Sequence, residues 1–198
     1  FKGNGASEDG RCLFTYKGNG QKEIVAFAPA GLTSYTIPDG VNIIGYGAFV
    51  ACAGLNHVVM PESVTEIGDE AFAECENLKQ VIIGNGVTSV GNSAFSGCVR
   101  LVNIDIPNSV TTIKSGAFIG CTNLTSITIP NSVTTIENRA FTFCKKLKKF
   151  SGKFASSDNR CLIANGILNS FAPAGLTEYT IPDNVTIIGH DTFCGCSN

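Results

Sequence analysis

Tryptophan is absent from this 198-residue sequence, methionine occurs once, histidine twice, and only 15% of residues are charged. Two histidines leave imidazole general-base chemistry few places to live. His57 stands where equivalent segments carry Ser34, Gln80, Asn103 and Ser126, so no partner set recurs around it, and no serine, cysteine and acid surround His190 in a motif with known mechanics. An enzyme is therefore not expected. No apolar run approaches the ~18 residues of a membrane span. Net charge is −2, which gives no electrostatic ground for nucleic acid or an anionic membrane as partner. Low charge beside 22 glycines suits many short strands and turns better than long amphipathic helices.

What the sequence has instead is repetition. Leu55, Leu78, Leu101 and Leu124 recur every 23 residues, as do Phe72, Phe95, Phe118 and Phe141, and Cys75, Cys98, Cys121 and Cys144. A fixed period of that length predicts a solenoid. Within one unit, Ile127 and Ile129 alternate with Ser126 and Thr128, a strand with one buried face. Pro130 then ends it, as do Pro38, Pro61, Pro107 and Pro182, because proline has no amide hydrogen for a ladder; Gly84 takes that place once. A β-branched piece, Val133 to Ile136, follows, and the spacing of Ala140, Phe141 and Cys144 predicts one turn of helix. The fold class expected is α/β: short parallel strands and single helical turns, coil after coil. One coil cannot bury its apolar set alone, so each must stack on the next, with Phe49, Phe72, Phe95, Phe118, Phe141 and Phe193 as a spine. Burying each is worth roughly 1.5 to 3 kcal/mol, against about 0 to 1 for a surface ion pair, so packing holds the fold.

The order along the chain predicts one elongated domain over residues 1–198. Residues 1–31 form a β-hairpin module around Gly18, Asn19 and Gly20, and residues 32–146 form five repeats. Residues 147–175 form a second hairpin module with a tighter turn at Asn165 and Gly166, and residues 176–198 a sixth repeat. The two modules match at Arg11 and Arg160, Cys12 and Cys161, Phe27 and Phe171. The sequence stops where the next leucine would fall and begins without an initiator, so it reads as part of a longer repeat protein.

Nine cysteines invite a metal or a disulfide, and their spacing argues against both. Cys52, Cys75, Cys98, Cys121, Cys144 and Cys196 occupy one position in successive coils, with side chains in parallel file rather than converging as a zinc site or a disulfide requires. They read as small buried residues. Cys194 lies off the pattern and reads as an exposed thiol. Gly84, Asn85 and Gly86 lack the Lys and Ser/Thr of a phosphate loop and read as a turn. Asn123 and Asn184 begin glycosylation sequons made of letters the repeat itself dictates. Thr65, Thr88, Thr111, Thr134 and Thr186 form a file that could order water at an ice surface, though on a short piece interrupted at Asn42.

The unit LxxIxIPxSVTxIGxxAFxxCxx resembles the leucine-rich repeats of the BspA-like family, also called the Treponema pallidum type, over all six coils. It lapses at Gly84 for Pro, at Lys114 and Glu137 for Gly, and at Thr192 for Ala. The resemblance implies a right-handed leucine-rich-repeat solenoid interrupted by β-hairpins, in a secreted or surface-attached bacterial protein serving adhesion or host-protein binding. A structural spacer presenting another domain is the competing reading. Solenoids bind through the extended sheet of equivalent strands, whose outward positions follow from register. Val59 and Ile82 form an apolar spot rimmed by His57, Gln80, Asn103 and Asp105, and these six are the candidate protein-binding residues. β-branched residues also favour strands for their own sake. The expected partner is an extracellular or cell-surface protein; no cofactor, metal, nucleic acid or small-molecule substrate is expected.

Overall fold

The computed structural model describes residues 1–196. The chain is a β-solenoid of about seven turns, and the phase of its apolar letters decides what each side of a coil does. The first side is an outward strand. Ser34–Thr36, His57–Val59 and Gln80–Ile82 pair in parallel with registers Ser34 to His57 to Gln80, and in each the middle residue, Tyr35, Val58 or Val81, is buried. Proline then opens a tight turn, its carbonyl accepting the N–H of the valine three residues on, as in Val64 to Pro61. At position 84 the coils approach so closely that a Cβ would lie 2.4 Å from the Pro61 carbonyl oxygen. Only glycine fits there.

The second side is a two-residue strand in each coil, Ile43–Ile44, Glu66–Ile67, Ser89–Val90, Thr112–Ile113 and Thr135–Ile136, joined to the first hairpin in one seven-stranded sheet. That hairpin pairs Cys12–Tyr16 with Lys22–Phe27 antiparallel, and its second strand pairs with Ile43–Ile44, so it lies as a cover on the first coil. The second hairpin, Cys161–Ala164 with Ile167–Phe171, pairs in the same way with Ile187–Ile188 of the last coil. Its turn residues Asn165 and Gly166 have φ of 52° and 77°, the left-handed pair of a tight hairpin turn.

The third side corrects the expectation of helical turns: among the described residues there is no helix, so the architecture is all β and turn rather than α/β. The reason lies in how its amides are shared. Residues 47, 49 and 51 donate their N–H groups to the carbonyls of 69, 71 and 73 in the next coil, and the same offset of 22 repeats down the stack to Gly120 and Thr142. The residues between them, Ala48, Val50 and Cys52, donate three residues back. A helix would commit all these amides to its own axis; here every second one ties coil to coil. Left-handed residues bracket each such segment, Gly47 and Ala51, Glu70 and Glu74, Ser93 and Gly97, Gly116 and Gly120, Arg139 and Phe143.

The core runs along the axis. Phe49, Phe72, Phe95 and Phe118 are fully buried and Phe141 nearly so, their rings stacked at centroid distances of 4.8 to 5.4 Å. Phe27 of the first hairpin extends the stack beyond Phe49 at 4.5 Å. Phe193 does not continue it: Phe150 meets Phe141 edge-on, and Phe193 packs instead on Phe171 in a second, smaller cluster. Leu147 and Phe150 are fully buried, and Lys149–Gly152 pairs in parallel with Ser126–Ile129, so the ladder runs on into residues 147–152 before the second hairpin begins.

Candidate functional site

The outward sheet is the surface on which the six candidate residues fall, and inward packing fixes what it displays. Val58, Val81 and Ile104 anchor three successive coils in the core, which turns His57 and Val59, Gln80 and Ile82, and Asn103 and Asp105 outward. His57 and Val59 are half-buried, while Ile82 is 47% exposed and Gln80, Asn103 and Asp105 are exposed. Strand pairing sets Val59 beside Ile82 and His57 beside Gln80. Those four share one continuous sheet.

Asn103 and Asp105 do not join it. Residues 101–107 form no strand, and the ladder bonds that continue the sheet elsewhere are missing between Gln80–Ile82 and residues 103–105. Asparagine and aspartate are poor strand formers, and this coil carries one at each outward position. The sheet is split there, with a cleft of about 110 Å³ lined by residues 80–83 and 103–105. Pairing resumes at Ser126–Ile129. Val102, 47% exposed at the start of the same segment, adds apolar surface that the register argument missed.

Side chains on this face are free where those on the other faces are engaged. Among the described residues, none of the six candidates makes a side-chain hydrogen bond or an ion pair within the chain, nor do Ser34, Thr36, Ser126 or Thr128 in the same columns. By contrast, the hydroxyls of Thr65, Thr88, Thr111 and Thr134 each donate to the carbonyl of the residue one coil back, at 3.0 to 3.2 Å. The threonine file is thus a staple between coils, with its protons committed inward rather than offered to ice. Asn123 is likewise engaged, its amide donating to Val99 O and its carbonyl accepting from Lys146.

The cysteine file is a second staple. Cys75, Cys98, Cys121 and Cys144 are buried and free, and each thiol donates to the carbonyl oxygen of the phenylalanine 26 residues earlier, from Cys75 to Phe49 at 3.0 Å to Cys144 to Phe118 at 3.2 Å. Burial pushes the Cys98 and Cys144 thiols up to about 12. Alanine would leave the volume of the sulfur empty and the carbonyl without its second donor. Cys196 departs from the expected file: it is exposed, as is Cys194. Among the described residues no group of three or more His, Cys, Asp or Glu could hold a metal ion.

Each hairpin carries a polar clamp whose repeated Arg-Cys stands out in the sequence. Arg11 donates to the carbonyls of Ala28 and Ala30, and Arg160 to those of Ala172 and Ala174. Cys12 lies 3.2 Å from the Tyr35 hydroxyl and Cys161 3.2 Å from that of Tyr179. Burial raises the Asp158 carboxyl, but hydrogen bonds from Ser156, the Arg160 amide and Tyr179 outweigh it and hold the group below its ordinary value. The signal was available: Tyr35 and Tyr179 replace the aliphatic residue of the strand centre only in the coil after a hairpin.

A chain of 23-residue β-coils with leucine, phenylalanine and cysteine in file is a leucine-rich-repeat protein. This one belongs to the BspA type leucine rich repeat region family, which it matches in six copies over residues 23–151 and 168–198. Repeats of this kind are generally protein-interaction modules. Among solved structures it resembles the Leucine Rich Repeat protein of T. pallidum at 27% identity and a TM-score of 0.69, over 73% of this chain and 70% of that one. A leucine rich cell surface protein from Faecalibacterium prausnitzii is 36% identical with a TM-score of 0.69, over 74% of this chain but only 39% of its own. A leucine-rich repeat protein from Bacteroides ovatus is 27% identical with a TM-score of 0.69, over 90% of this chain and 60% of that one. No curated protein matches the sequence at a significant level. Among the described residues no helix is long and apolar enough to cross a membrane.

Proposed function

We propose that this chain is a non-enzymatic protein-binding or adhesion module of a bacterial surface or secreted protein, and that it binds through the outward sheet. The observation that carries the reading is the contrast between faces: the threonine and cysteine columns spend their donors between coils, whereas His57, Gln80, Asn103 and Asp105 keep their side-chain polar groups free around Ile82 and Val59. Free polar groups around partly exposed aliphatics form a surface that a partner can desolvate without first breaking internal side-chain bonds. The surface location draws support from the Faecalibacterium prausnitzii neighbour, which is named a cell surface protein.

The test is Val59→Glu combined with Ile82→Glu, assayed by pull-down against a panel of extracellular and cell-surface proteins beside a thermal melt. Two carboxylates there would be desolvated in any interface, at a cost of several kcal/mol, so partner binding is expected to vanish while the melt moves by only a few degrees. Binding that survives in a folded variant removes this face as the site and turns attention to the hairpin tips around Asn19 and Asn165.

A further inference from the structure

The cations of this chain are unevenly placed. Residues 138–157 hold six of the fourteen lysines and arginines and no acid, while the remainder holds eight cations against sixteen carboxylates. A net charge of −2 thus averages a strongly basic stretch with an acidic remainder.

The fold converts that stretch into a surface. Buried Leu147 and Phe150 pin the backbone, and the N–H groups of Lys146 and Lys148 donate to the Thr122 and Thr125 carbonyls of the coil before. Lys145, Lys146, Lys148 and Lys149 are thereby left exposed on one corner, with Lys149 on the outward strand opposite Ser126. Arg100 stands in the column of Lys146 two coils earlier and Lys79 in that of Lys148 three coils earlier, about 10 and 14 Å along the axis at the ~4.8 Å spacing of strands.

These charges are not neutralised from within. Arg139 is paired with Asp191 at 2.7 Å, and Lys153 donates to Asn131 O. Among the described residues no carboxylate lies within ion-pair distance of Lys145, Lys146, Lys148 or Lys149; Lys146 donates only to the neutral Asn123 side chain. Four unpaired ammonium groups on a fixed backbone, at separations comparable to the Debye length, sum their fields.

We propose that this corner is a docking surface for a linear polyanion bearing repeated sulfate or phosphate groups. A single small anion has no enclosure here, since the lysines stand on exposed stems; a chain of anionic groups can engage several at once. The acids set the extent of the strip. Glu74 and Glu76 occupy the same corner one coil before Arg100, so the favourable track covers only a few coils, which a flexible chain can follow and a stiff, wide duplex would overrun.

The experiment measures binding of fluorescent heparin fragments and of short-chain polyphosphate to the whole chain, with duplex DNA as a third arm. Binding of heparin, polyphosphate or both is expected, with affinity falling about tenfold or more between about 50 and 200 mM salt. Which of the two binds tells a sulfated polysaccharide from a phosphate polymer. Lys148→Glu with Lys149→Glu should lower affinity at least tenfold, whereas Lys2→Glu with Lys17→Glu, an equal change in charge elsewhere, should leave it within about twofold. If the first variant loses its melt, Lys145→Gln with Lys148→Gln replaces it and must still weaken binding severalfold. The proposal is overturned if neither polymer binds, if the lysine variants bind like the parent, if both pairs weaken binding equally, or if only duplex DNA is bound. Ile82→Glu, which tests the outward sheet, leaves this corner intact, so the two readings fail separately.

Discussion

The first coil and the last are near copies in sequence, each following a hairpin, yet they differ in almost every measure of burial. Ile43 and Ile44 are 8% and 0% exposed; Ile187 and Ile188, in the same Ile-Ile-Gly, are 56% and 51% exposed. Phe49 stacks between Phe27 and Phe72, whereas Phe193 tilts against Phe171 in the smaller cluster and stays half-buried. Cys52 is buried and Cys196 exposed. The strand Ile43–Ile44 is hydrogen-bonded on both sides and Ile187–Ile188 on one. In a solenoid, burial belongs to the pair of neighbouring coils and not to the coil.

The largest expected effect is on the two phenylalanines. Phe49→Ala empties a fully enclosed site and should cost about 3 to 5 kcal/mol in urea unfolding, the range for a large aromatic core truncation. Phe193→Ala should cost less than about 2, because its ring is already part-solvated. Equal losses would mean the two coils are equally supported, against the comparison.

Thiol ionisation gives the next. Burial raises the folded-state values of Cys98 and Cys144 to about 12, so the unfolded chain releases these protons first, near the ordinary value of about 8.5. Their contribution is therefore intact below about pH 8.5 and is lost as pH rises from there toward 12. Urea midpoints should fall progressively between about pH 8 and 10, and Cys98→Ala should flatten that slope while lowering stability at neutral pH. In the folded chain alkylation should label Cys194 and Cys196 well before the buried file; labelling of Cys98 at the same rate would contradict its burial.

The smallest concerns an ion pair between the last coil and the stack. Arg139 and Asp191 meet at 2.7 Å, with side chains 48% and 25% exposed. Asp191→Asn should cost under about 1 kcal/mol by thermal melt, as for partly solvated ion pairs generally. A larger loss would show that this pair, and not apolar packing, docks the coil.

Much of this was legible in the letters. The period gives the stack, and alternation about Val58 and Val81 gives the strand register, which places Ile82 outward. The turn segment was misread because apolar spacing at Ala140, Phe141 and Cys144 satisfies a helical turn and a run of tight turns equally well. What separates them is backbone sign. Glu70, Ser93 and Arg139 hold positive φ without being glycine, but glycine does stand in their column at 47 and 116, and at 97 and 120 in the next one. That alternation was the available clue. The split in the outward sheet was not readable, because single strand propensities are weak against context and Asn103 and Asp105 fill positions where serine and threonine pair normally. Nor was the departure of Phe193 from the spine: the intruder, Phe150, occupies an aliphatic position and lies nine residues from the phenylalanine it meets.

The split has a mechanical consequence. The first three coils are tied to one another on three sides, by the outward strands, the short strands and the alternate turn amides. Around residues 101–107 the outward strand pairing is missing on both flanks, apart from the Thr125 amide and hydroxyl, both donating to Val102 O, while Ser89 to Thr112 and Phe95 to Ala117 stay bonded. A column fastened on every side is stiff in every direction; fastened on two sides, it has a soft direction. Bending of this molecule should therefore concentrate at its fourth coil, opening and closing the outward face like a spine bent at one vertebra, with Asn103 and Asp105 on that joint and His57, Val59, Gln80 and Ile82 together on one side of it.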